Sequence, residues 1–308
     1  MLRVATLVHY TIQAGNACIC CYHSFSGENA LRFCTGDFLF QLIKIIMKKI
    51  LFIAALAAIF SSCKKDDKNF DTTSKGEIIV EFDNIAGAAD LQLNTGSYIN
   101  ATGESFKVTK LKYYVSNFSF TKTDGTIYTI PQDSSYFLVD ESNEESQEPT
   151  MRIPEGEYKT VSFLVGVDSL RNTMGLSRRT GVLDPTGAGA GMYVNQNTGY
   201  THFLLEGTST ASSQPSNAFK YSIAYYGGGT TATVNNTRRV TLDLTARGTA
   251  KVKDGKETEV HLMVDVLKVF TGATTVSIAS TPVIQAEAGS AGIANNYAAM
   301  FTHDHTHN

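Results

Sequence analysis

The run Glu259-Val260-His261-Leu262-Met263-Val264-Asp265-Val266 decides how the chain folds. Val260, Leu262, Val264 and Val266 alternate with polar or adaptable residues, the period of a strand that buries one face. Working outward, the same period recurs. Ile78, Val80 and Phe82 alternate with Glu77, Ile79 and Glu81. Val161, Phe163, Val165 and Val167 follow it, as do Val240, Leu242 and Leu244. In Phe106–Phe120 the phase changes, from Phe106 and Val108 to Leu111, Tyr113 and Val115, then to Phe118 and Phe120, which suits bulges or a strand pair. Asp124-Gly125 and Asp254-Gly255 are hairpin-turn signals. Gly187–Gly191 and Gly227–Gly229 read as loops, and Ser169–Arg179 has room for one short helix. Many short strands with Gly-rich turns predict an all-β protein, an antiparallel β-sandwich of Greek-key or jelly-roll type.

The chain has 308 residues, 43% of them apolar, enough for a sizeable core, and a formal net charge of -3. That balance gives no reason to expect a nucleic-acid partner. Lys48 and Lys49, the apolar run Ile50–Phe60 and Ser61-Ser62-Cys63 follow the basic, apolar, small-residue order of a secretory signal. The order resembles a lipoprotein signal peptide helix over 47–62 with acylation at Cys63. Met47 then reads as the true start, and 1–46 as an upstream extension. Joining Asp37–Phe60 into one anchor helix would place Lys44, Lys48 and Lys49 inside it, at a cost of a few kcal/mol each. Residues 63–75 are a polar tether, whose opening charges resemble the surface-export signal of Bacteroidetes lipoproteins. The expectation is an outer-membrane lipoprotein, held by its lipid on the periplasmic face or the cell surface. The sandwich occupies 76–302 and a His-containing tail 303–308. Cys18, Cys20, Cys21 and Cys34 precede Met47, and no cysteine follows Cys63. Neither a disulfide nor a thiolate metal site is expected in the body.

Strand periodicity puts Glu259, His261, Met263 and Asp265 on one face. Imidazole suits copper or zinc, and a thioether favours Cu(I). A half-buried strand with a plain polar face fits the same residues. In the tail, His303, His305 and His307 alternate, so an extended chain would place all three imidazoles on one side. A frayed terminus is the plainer reading. His202 is a lone strand histidine, a candidate ligand or a hydrogen-bonded core residue. Asp140, Asp168 and Asp184 offer oxygen donors for calcium without the spacing of an EF-hand loop. No nucleophile elbow, His-Glu-x-x-His or phosphate loop occurs, and no enzymatic activity is expected.

Several segments resemble the MbnP-like family, named for the copper-associated protein of methanobactin operons. They include Tyr113-Tyr114-Val115-Ser116-Asn117, Tyr136-Phe137-Leu138-Val139-Asp140, Ile153-Pro154-Glu155-Gly156-Glu157-Tyr158, Gly166-Val167-Asp168-Ser169, Gly191-Met192-Tyr193, Gly199-Tyr200 and Leu205-Glu206-Gly207. The ending from Ala294 to Asn308 resembles the C-terminus of Bacteroidetes members. The resemblance implies a β-sandwich in the envelope and copper as cofactor in some members. It also implies a di-haem cytochrome c peroxidase-like partner that converts a tryptophan to kynurenine. Here the chain departs from the family. It contains no Trp, so no kynurenine is expected. Ser222 stands where many relatives have His, and His261-Leu262-Met263-Val264-Asp265 stands for their His-x-His-x-Asp. The resulting expectation is a metal-binding envelope protein, with copper first and His261, Met263, Asp265, His303, His305, His307 and His202 as candidate ligands. The alternative is a non-catalytic surface recognition module for a glycan, peptide or protein. An exposed patch of Tyr193, Tyr200, Tyr225 and Tyr226 would mark it.

Overall fold

The computed structural model describes residues 70–308 except residue 72. The 1–46 extension, the signal segment and Cys63 lie outside the described residues. Ten strands have five residues or more: β1 Lys75–Ala86, β2 Ser105–Lys122, β3 Tyr136–Asp140, β4 Thr150–Pro154, β5 Gly156–Val165, β6 Phe203–Thr208, β7 Ala218–Ile223, β8 Arg238–Asp243, β9 Glu257–Asp265 and β10 Phe301–His307. Two short helices accompany them, α1 Ser169–Thr173 and α2 Ser290–Tyr297. No helix among the described residues is long and apolar enough to cross a membrane.

The strands form an all-β sandwich. The smaller sheet has five strands and runs β10-β9-β1, with β4 and the short strand Ala89–Asp90 on the other edge of β1. The larger sheet has ten strands, six of them along the path β8-β5-β2-β6-β7 and Val283–Ile284, with the other four pairing off β2 or β5. The 18-residue strand β2 is its spine. Lys107–Tyr113 pair with β6 and Val115–Lys122 with β5, and the register breaks between Ser116 and Ser119, where Asn117 has φ 51°. That break is the physical source of the phase change in the sequence.

One feature departs from an antiparallel reading. β1 and β9 pair in parallel, from Glu77 opposite Glu257 to Ile85 opposite Asp265. β7 and Val283–Ile284 are parallel too. No tight turn joins β1 to β9, since almost the whole domain lies between them, so no hairpin dictates their direction.

Between the sheets, Ile78, Val80 and Phe82 of β1 and Val260, Leu262 and Val264 of β9 are fully buried. Phe82 meets Phe163 edge-on at 5.4 Å. Phe301 meets Phe163 at 5.2 Å, Tyr113 at 5.9 Å and Phe82 at 6.1 Å. Phe301 opens β10, so the aromatic core itself anchors the last strand. The segment after residue 302 is therefore not a frayed tail but the continuation of an edge strand.

Candidate metal centre

The outer face of the small sheet follows from two registers. The parallel one puts Glu81 of β1 beside His261 of β9. The antiparallel one puts His305 of β10 opposite His261, and His307 opposite Glu259. Three imidazoles from strands distant in sequence are thereby stacked into one cluster. The rings of His261 and His305 lie 4.3 Å apart and nearly parallel, at 16°. His307 stands edge-on to both, at 5.5 Å from His261 and 4.6 Å from His305. The Nε2 atoms of His305 and His307 are 3.0 Å apart. One ligand atom from each of the three imidazoles falls within 4.8 Å of the others. The same holds for Glu81, Glu259 and His261, so His261 belongs to two triads at once. Its Nδ1 contacts the Glu81 carboxylate and its Nε2 lies 3.5 Å from Glu259 Oε1. His305 Nδ1 donates to Asp304 Oδ2 at 2.7 Å.

Not every candidate ligand reaches this point. The register slips between His261 and Leu262, so that His303 pairs with Leu262 and Asp304 is the extra residue of a β-bulge. The bulge breaks the alternation expected of the tail. His303 lies on the inner face, with Nε2 2.9 Å from Thr306 Oγ1, and burial lowers its pKa. Met263 keeps its place on the outer face but pairs with Thr302, about 7 Å along the strand from His261. Asp265 is occupied elsewhere. Its Oδ1 accepts from Gly87 N–H at 2.9 Å and from Leu267 N–H at 3.0 Å, capping the turn Val266–Phe270. His202 lies just before β6, in the other sheet, and is wholly buried. Its Nδ1 accepts from Val167 N–H at 3.2 Å, which leaves Nε2–H to donate to the Tyr225 carbonyl at 3.2 Å. With both nitrogens engaged it has no lone pair to offer a metal. Burial pulls its pKa down to about 4.

Other candidates also resolve into local structure. Asp140 pairs with Lys112 at 2.6 Å. Asp168 caps α1 and accepts from Tyr136, and Asp184 closes a turn onto Thr186. None of the three belongs to a cluster of potential metal ligands among the described residues. Tyr200 and Tyr226 are buried, so the four tyrosines form no exposed patch. Ser222 shares a hydrogen bond with Thr201 in the other sheet, away from His261.

Two residues of the centre escaped the sequence reading, Glu81 and Asp304. Glu81 falls in the polar phase of β1, which was legible, but its neighbour on β9 was not. Burial raises the pKa of Glu81, and the neighbouring charges of Glu259, Asp83 and Glu148 raise it further against the opposing pull of His261. Its Oε2 is closed to solvent, and the polar contact it makes is with Nδ1 of His261. Burial likewise raises Asp83. A face whose crowded carboxylates raise one another's pKa is one that a cation would relieve. The donor set of imidazole with carboxylate, and no thiolate, fits Cu(II), Zn(II) or Ni(II).

Comparison with known proteins places this sandwich. The family model described as MbnP matches residues 75–287, and the chain belongs to the MbnP family. The match takes in Glu81, Glu259 and His261 and ends before β10, which carries His305 and His307. Among solved structures, MbnP from Methylosinus trichosporium is similar, at 14% identity and a TM-score of 0.47, over 70% of this chain and 82% of that one. No curated protein matches the chain.

Proposed function

We propose that this chain is an exported, lipid-anchored metal-binding protein of the envelope that holds copper at His261, His305 and His307 and performs no catalysis of its own. The observation that carries this reading is the meeting of three imidazoles from β9 and β10 at mutual ligand distance on one sheet face. The copper association implied by family membership supports the choice of metal, and so does imidazole's preference for copper among common divalent ions. Glu81 and Glu259 flank the triad and supply negative charge. Without tryptophan the chain offers no substrate for a kynurenine-forming di-haem partner. Anchoring through Cys63 would keep the site at the membrane surface.

The test uses protein purified without an affinity tag, since a His-tag would mimic the site. Chelator competition should give one tightly held Cu(II) per chain. His261→Ala, or His305→Ala with His307→Ala, should weaken binding by more than the roughly 10–100-fold that loss of an outer-shell partner costs. Equal affinity in wild type and both variants would refute the assignment. Lipidation is tested separately: metabolic labelling with a fatty acid should mark the wild type and not Cys63→Ala.

A further inference from the structure

We infer that Glu81 and Asp304 are positioning residues of the imidazole triad, each holding one ligand ring by its Nδ1 so that Nε2 is presented to the metal. The inference rests on the metal reading given above. A neutral imidazole has one N–H and one lone pair, and the hydrogen bond at one nitrogen decides which atom can bind a metal. His305 donates Nδ1–H to Asp304 Oδ2 at 2.7 Å, which leaves its Nε2 lone pair 3.0 Å from Nε2 of His307. His261 turns its Nδ1 to the Glu81 carboxylate, and the oxygen it meets, Oε2, is closed to solvent. The Nε2 of His261, 3.5 Å from Glu259 Oε1, then carries the lone pair. Two carboxylates from opposite sides, one on β1 and one on β10, thus enforce the same tautomer on two rings.

The β-bulge acquires a purpose in this arrangement. Removing one residue at 304 would leave His305 and His307 outward and His303 inward, because the strand alternation either side of the bulge is already consistent with that placement. The ligands do not need the bulge. What it adds is a carboxylate beside His305, itself held by Arg247 at 3.1 Å. Burial is costly for a carboxylate oxygen left without a partner, so the enclosed Oε2 of Glu81 is explained by its contact with Nδ1 of His261.

Imidazole nitrogen NMR of the tag-free protein, at a pH where the rings are neutral, reads the tautomers directly. His261 and His305 should carry the proton on Nδ1. Glu81→Leu and Asp304→Leu should each move it to Nε2 on their own ring and weaken Cu(II) binding about 10–100-fold. Glu81→Gln, whose amide oxygen still accepts Nδ1–H, should recover most of the affinity lost in Glu81→Leu. An Nε2–H tautomer in wild type, or leucine variants that bind Cu(II) as well as wild type, would overturn the positioning roles while leaving the metal site standing. Nδ1–H tautomers in a protein that binds no Cu(II) would overturn the metal reading instead.

Discussion

His202, just before β6, and His261, within β9, are both imidazoles, yet their nitrogens meet different partners. His202 is enclosed, accepts from Val167 and donates to Tyr225, and its pKa falls to about 4. The folded value lies below the ordinary one, so the neutral ring is the form that folding favours. The stability this contributes is complete above about pH 6.5 and is lost as pH falls toward 4. Denaturant melts across that window should show one extra proton taken up on unfolding, and His202→Gln should remove that dependence. A wild-type slope no steeper than the variant's would contradict the buried neutral ring. Sequence alone could list the histidines but not separate these cases. The face of a strand is legible from its period, whereas the groups that close over a ring come from elsewhere in the chain. Asp265 shows the same limit, since its cap on Leu267 is local while its bond to Gly87 is not.

At the scale of elements, the segment before Val283–Ile284 is held by one side chain, Glu104. Glu104, just before β2, accepts from Ser277 Oγ, Ile278 N–H and Ala279 N–H at 2.8, 2.7 and 2.9 Å, and from Asn100 at 2.6 Å. Burial alone would raise its pKa, but these donors outweigh it and bring it to about 2. Its contribution is therefore present above about pH 4.5 and fades toward pH 2. Glu104→Ala should speed proteolytic cleavage within residues 271–282 severalfold at neutral pH; an unchanged cleavage rate would show the clamp to be dispensable. The bulge at Asp304 has its own test. Deleting Asp304 should preserve the pairing of β10 with β9, read by amide exchange, while weakening Cu(II) binding. Loss of the strand would contradict the register described for it. The all-β class, the phase break in β2 and the outward face of β9 were all visible as period two and its interruptions. The parallel pairing of β1 with β9 and the bulge were not, because neither carries a turn signal. Hence nothing in the sequence joins Glu81 to His261, and plain alternation of the tail puts His303 on the wrong face.

Across the whole molecule, β9 stands between the first long strand and the last, and the candidate centre spans all three. Phe301 fastens β10 from the inside and the imidazoles can fasten it from the outside. Phe301→Ala empties a site among Phe82, Phe163 and Tyr113 and should cost about 3–5 kcal/mol, measured by denaturant unfolding. Bound copper acts on the same strand by mass action, adding about 2.7 kcal/mol when free metal is 100-fold above Kd. The melting temperature should therefore rise with Cu(II) in wild type and stay fixed in the His305→Ala, His307→Ala double variant. The claim beneath these expectations is that the sheet face holds copper among His261, His305 and His307. Anomalous diffraction at the copper edge, from crystals of the tag-free protein grown with Cu(II), tests it most directly. One strong peak should lie within bonding distance of all three Nε2 atoms. A peak elsewhere, or none at saturating Cu(II), would contradict it.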